Sequence, residues 1–135
     1  MEHGSLAAAR RDAAGQIRRH AEVLIELDPR YADGGGLRLL GRLHTATPKV
    51  PFVTGWIDRR QGIELLRRAH ALSTRDARNA LFLAEALLEH APDRWAEAIA
   101  LLREVAARSP APESVIEETE TIDAARRRLA AEERP

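Results

Sequence analysis

The chain has 135 residues, 44% hydrophobic and 31% charged, which describes one folded domain able to bury roughly two thirds of its unfolded surface. Lys and Arg together number 21 and so do Asp and Glu, so no net field draws the chain to nucleic acid or to anionic lipid. Cysteine is absent, which excludes disulfides, thiolate catalysis and cysteine-based metal sites. No apolar run approaches the ~18–20 residues that span a bilayer.

The start, Met1 to Ser5, lacks the basic and apolar regions of a secretory signal. As written, the chain is expected to be cytoplasmic. Gly4-Ser5 resembles a cloning scar, so residues 1–5 are expected to be an irregular start. A periplasmic location is the alternative if an export signal has been removed ahead of them. From Leu6 to Leu27 a helix is predicted, with Ile17, Ala21, Leu24 and Ile25 on one stripe. Asp28-Pro29 ends it, because the residue before proline is pushed out of the helical region. A turn at Asp33-Gly-Gly-Gly36 opens a short helix with Leu37, Leu40, Gly41, Leu43 and His44 on one face.

The stretch from Pro48 to Trp56 has no helical period. Its prolines and glycine argue against a regular element, while Val50, Phe52, Val53 and Trp56 argue against a free linker. An irregular apolar insertion over 47–57 satisfies both. Asp58 is the expected N-cap of a helix over about 59–72. Ser73 with Asp76 resembles a capping box opening a helix over about 74–89. Ala91-Pro92-Asp93 breaks the chain before a helix over 95–108, and Ser109-Pro110-Ala-Pro112 stops that one. The last helix, about 113–132, is acidic early and basic late, as a helix dipole favours, with a thin stripe of Val115, Ile122 and Leu129.

Two segments 36 residues apart look alike. Gly62-Ile-Glu-Leu-Leu-Arg-Arg-Ala69 aligns with Ala98-Ile-Ala-Leu-Leu-Arg-Glu-Val105. A recurring helical unit marks a solenoid, because one helix pair cannot bury its own apolar stripe and must stack on a neighbour. The residues resemble the tetratricopeptide (TPR) repeat. Leu37, Leu40, Gly41 and His44 match the first-helix pattern of bulky residue, Leu-Gly and aromatic, with His for the aromatic; Leu83, Ala84 and Leu87 form a weaker copy. Ala98, Leu102, Val105 and Pro110 match the second helix, and Gly62, Leu66, Ala69 and Thr74 do so less closely. A closer resemblance over residues 33–109 is to the TPR-like family that includes the T-component of TRAP transporters. It implies an exported helical-repeat protein, in some members a trimer beside a solute-binding protein. This chain departs from exported members in showing no signal peptide or lipidated cysteine.

Candidate chemistry is sparse. The histidines (His3, His20, His44, His70, His90) show no zinc-binding spacing. Glu117, Glu118 and Glu120 read as solvated helix residues, and Gly34-Gly35-Gly36 as a plain turn although it could hold an anion on free N–H groups. No nucleophile–base pairing, phosphate loop or dinucleotide fingerprint is present. Twenty of the 21 cations are Arg, the other being Lys49. Guanidinium forks bind carboxylates and phosphates, although GC-rich codon usage gives the same bias. Arg38, Arg42, Arg60 and Arg67, with Arg59 and Arg68, are the candidate anion contacts; local pairs such as Glu64–Arg68 are the competing use. Phe52 and Trp56 are either binding anchors or a plug for the groove end.

The expectation is an all-α, TPR-like solenoid of about six antiparallel helices with a C-terminal capping helix. Its expected function is that of a non-enzymatic scaffold or adaptor for a protein or peptide partner, without cofactor or metal. The alternative is a small-molecule carrier or accessory subunit of a TRAP-type transporter, taking a carboxylate-bearing solute. A homo-oligomer is compatible with either.

Overall fold

The computed structural model describes the backbone of residues 2–134 and the side chains from residue 13 to 134. Met1 and Pro135 lie outside the described residues, and the irregular start expected over residues 1–5 is corrected in its described part, where the α1 backbone is already helical from Glu2. Among the described residues the structure is all-α: α1 (Glu2–Leu27), α2 (Gly35–Ala46), α3 (Arg59–Leu72), α4 (Ala77–His90), α5 (Trp95–Ala106) and α6 (Val115–Glu132). Short 3-10 turns, Pro92–Arg94 and Pro112–Ser114, precede α5 and α6. Both begin on the prolines that break the preceding helix pattern.

Local chemistry explains most boundaries. Asp58 caps α3, its carboxylate accepting from the Gln61 N–H at 3.1 Å. The expected capping box at Ser73 is corrected: Asp76 itself caps α4, accepting from the Arg78 N–H at 3.0 Å, while Ser73 ends α3. The sequence pattern could not separate two acceptors three residues apart. At the start of α6, Glu118 reaches back to accept from the Ala111 N–H and the Ser114 hydroxyl, both at 2.8 Å. These bonds, the backbone one first, hold its carboxyl below the usual range. The stripe expected on α6 is also corrected. Ile122 is buried and Leu129 packs against the core, but Val115 is exposed.

Each helix packs on the next, α2 also touches α4, and α4 also touches α6. Thus α2, α4 and α6 form a contiguous row, with α1 packed on α2, α3 on α2 and α4, and α5 on α4 and α6. The sequence repeat coincides with this packing. On α3, Gly62, Leu65, Leu66 and Ala69 are buried; on α5 the aligned Ala98, Leu101, Leu102 and Val105 are buried. One apolar cluster runs from Leu66 through Leu83, Ala84 and Leu87 to Leu102, Val105 and Ile122. The other joins Ala21, Leu37, Leu40, Leu65 and Ala69.

A buried polar knot ties the two turns on one edge together. Three successive residues, Ala32, Asp33 and Gly34, have positive φ (53°, 57° and 82°), a strained path for the first two. Asn79, fully buried, donates to the carbonyls of Asp33 (2.9 Å), Ser73 (2.9 Å) and Ala69 (3.2 Å) and accepts from Arg38 at 3.0 Å. Arg38 also donates to the Asp33 and Ala32 carbonyls, both at 3.4 Å. Gly34 lies against Ala69, where an added Cβ would be 3.3 Å from the Ala69 Cα.

Candidate functional site

The insertion between α2 and α3 is an ordered loop built around two residues that the sequence did not single out. Thr54 is buried; its hydroxyl donates to the Pro48 carbonyl at 2.6 Å and accepts from the Val50 N–H at 2.9 Å. Ile57 is buried at the loop's end. Ile57 was detectable only as one more apolar residue, and Thr54 as a polar one inside an apolar run. The two candidate aromatics divide. Trp56 is half-buried, edge-on to the His44 ring at 5.6 Å, with the Arg18 guanidinium 4.8 Å from its ring centre. Phe52 is fully exposed and holds φ at 65°.

His44 fastens this loop to the helices. Its Nδ1 accepts from the Asp58 N–H at 2.9 Å, which requires a ring unprotonated at that nitrogen. Burial first, then the Arg18 charge, holds its pKa below the ordinary 6.5, against the pull of Asp58 and Glu22. Arg59 donates to the His44 (3.1 Å) and Thr47 (2.7 Å) carbonyls, and the His90 Nε2 lies 2.7 Å from the Thr45 carbonyl. Two basic side chains therefore close the C-terminus of α2, where its dipole favours them.

The candidate arginines are distributed unevenly. Arg38 is buried in the polar knot, with Asp76 at 3.3 Å, and is unavailable to an external ligand. Burial lowers its pKa, and Asp76 opposes the effect. Asp76 stays below its ordinary 3.8: burial works against its charge, but the bonds from Arg78 and the charge of Arg38 outweigh it. Arg42 pairs with Glu85 and stacks over Phe82 at 4.3 Å, crossing from α2 to α4. Arg67 forms a bidentate pair with Glu97 on α5, the second bond being 3.0 Å. That pairing raises the Arg67 pKa and lowers that of Glu97. Arg67 thus joins helices rather than pairing along its own.

Arg60 and Arg67 do line a common cleft, of about 740 Å³, together with Arg59, Glu64, Arg94 and Glu97. It opens beside the loop, since α3 begins where the loop ends. Arg59 and Arg67 are already committed to protein partners, whereas Arg60 is exposed. Two smaller cavities sit on the opposite edge, about 350 and 440 Å³, around Asp33 and Arg75. Charged side chains of both signs make up most of the lining of the two larger cavities, and the smallest mixes Arg30, Asp33 and Arg75 with Gly34, Leu72, Ser73 and Thr74. Among the described residues no cluster of three or more His, Asp or Glu side chains is placed to hold a metal ion, and no helix is long and apolar enough to cross a membrane.

Neither a scan of protein-family models nor a search of curated proteins gives a match to this chain.

Proposed function

We propose that this chain is a non-enzymatic, TPR-like adaptor that binds a protein or peptide partner through the 47–57 loop. Phe52 carries the reading. A bulky residue in left-handed backbone is an outlier that costs about 1–3 kcal/mol and clusters at binding sites. Full exposure of its ring returns none of that cost within the chain. The loop beneath it is braced by Thr54, Ile57 and Trp56, so the ring is presented with little entropy left to lose on binding. Exposed aromatics on rigid supports are the usual anchors of protein interfaces. The cleft next to the loop adds the exposed guanidinium of Arg60, suited to a carboxylate on the partner.

The contiguous row of α2, α4 and α6, with Gly41 and Ala84 at helix contacts, supports a TPR-like array. The carrier reading implied by the TRAP resemblance has less behind it. A solute pocket is mostly apolar with a few converging polar groups, and the two larger cavities here are lined chiefly by charged side chains of both signs. The test is selection of peptides from a random display library on the folded protein, followed by mapping of the bound site by NMR shift perturbation. The proposal expects perturbed amides across 48–60. Failure to select any binder, or perturbations confined to the Arg42–Glu85 face, would contradict it.

A further inference from the structure

The 47–57 loop is tied to the helices at few points. The bonds of Thr54 run to Pro48 and Val50 and stay inside the loop. Among the described residues, none from 47 to 57 belongs to either apolar cluster of the array. Arg59 holds the loop's first end at the Thr47 carbonyl, and the burial of Ile57 holds its last. Between these ends the hold passes through the His44 ring, 2% exposed, which takes the Asp58 N–H and meets Trp56 edge-on, and through Arg18 over the same indole.

A second proton on His44 does not fit this arrangement. The Asp58 N–H lies 2.9 Å from Nδ1, so a protonated Nδ1 sets donor against donor. The ring must turn or the Asp58 backbone must retreat, and either motion disturbs the contact with Trp56. Charge works in the same direction. Facing the ring are Arg18 and Glu22 from α1, and Asp58 and Arg59 at the start of α3. Both carboxylates are already engaged, Glu22 with Arg18 at 3.0 Å and Asp58 with the Gln61 N–H at 3.1 Å. An imidazolium would repel Arg18, the cation that covers Trp56. From α4, His90 meets the Thr45 carbonyl instead of the ring, and Lys49, the loop's one charged residue, does not act on it. A proton on His90 preserves its contact, because both nitrogens of a charged ring donate.

We propose that His44 is a pH-sensitive latch: a proton on its ring frees residues 48–56 from the helices, with the array still folded, and withdraws Phe52 from a partner. The loss of binding rests on the loop being the binding element; the release of the loop does not. Burial and the Arg18 charge hold the ring's pKa down, so release belongs below its ordinary 6.5.

Amide NMR of the whole chain, taken as pH is lowered from neutrality, tests the latch, and the affinity of a peptide selected from the display library is measured in parallel. The expected result is that amides over 48–58 shift and lose exchange protection together with the His44 ring resonances, while those of α4 and α5 stay in place. Peptide affinity should fall over the same range, by up to about tenfold per pH unit, the limit for one coupled proton. His44→Asn cannot titrate, and its side-chain oxygen stands near the place of Nδ1 as an acceptor, so the transition should vanish in it. Loop amides that stay put while His44 titrates overturn the proposal. So does a transition that persists in His44→Asn, or one in which the helices unfold together with the loop. An affinity indifferent to a released loop contradicts the binding reading and leaves the latch standing.

Discussion

Gly41 and Gly62 meet backbone to backbone where α2 crosses α3: an ideal Cβ on either would lie 3.0 Å from the carbonyl oxygen of the other. The same Cβ on Gly41 would be 2.7 Å from the Leu66 Cγ, and on Gly62 2.6 Å from the Thr45 Cγ2. Contacts this short force a shift of main chain, so the pair sets how closely α2 and α3 approach.

Gly41→Leu is therefore expected to destabilise the fold. Glycine in a helix costs about 1 kcal/mol relative to better helix formers, whereas overpacking costs about 1–3 kcal/mol. With both backbone and Leu66 in the way, overpacking wins. Gly62→Ala should also lower the melting temperature, because its Cβ meets Thr45 and His44. An unchanged midpoint in both variants would show that the helices part freely.

Asn79 should matter more to stability than any exposed ion pair. Asn79→Leu takes away the donor to the Ser73 carbonyl, one of the two donors to each of the Ala69 and Asp33 carbonyls, and one acceptor of Arg38, and a buried group left unsatisfied costs roughly 1–3 kcal/mol. Arg42→Met removes a partly exposed pair, worth about 1 kcal/mol or less. Urea unfolding of the two variants compares them directly; a larger loss for Arg42→Met would refute the ranking.

Stability should fall as pH drops below 6.5. In the unfolded chain His44 takes up a proton near its ordinary 6.5, while the fold holds its pKa lower. Its contribution is complete above 6.5 and is lost as pH falls from there toward the folded value. Asp76, also held low, adds a second loss as pH passes below 3.8 toward its own folded value. His44→Gln should remove the first step and keep the second. Melting curves against pH check both, and a first step of equal size in His44→Gln would contradict the assignment.

Much of the fold was legible because apolar residues recur at three and four positions, and because Leu40-Gly41 stands where two helices must close. Asp58 was readable as a cap for the same local reason. The polar knot was not legible. Asn79 is a single amide within Ala77–Leu88, and only its three-dimensional neighbours reveal that it closes two turns. Arg38 illustrates the converse: one turn from Arg42, it suggested a shared ligand, but the two point at different parts of α4. The loop was readable as an ordered insertion. The division between an anchored Trp56 and an outward Phe52 depends on Thr54, Ile57 and His44, whose bonds have no signature in local sequence.

The two aromatics should separate experimentally. Trp56→Ala removes a half-buried ring from His44 and Arg18 and should cost about half of the ~3–5 kcal/mol lost when a fully buried aromatic is deleted. Thermal melts decide this, and a Trp56→Ala midpoint equal to that of the original chain would detach the ring from the scaffold.

The most direct test of the loop as a binding element is the affinity of a selected peptide for the original chain and for Phe52→Gly, with melting temperatures taken in parallel. Glycine accepts the left-handed backbone at Phe52 without strain, so Phe52→Gly should be at least as stable as the original chain, with an affinity lower by tenfold or more. Equal affinities with equal midpoints would contradict the account.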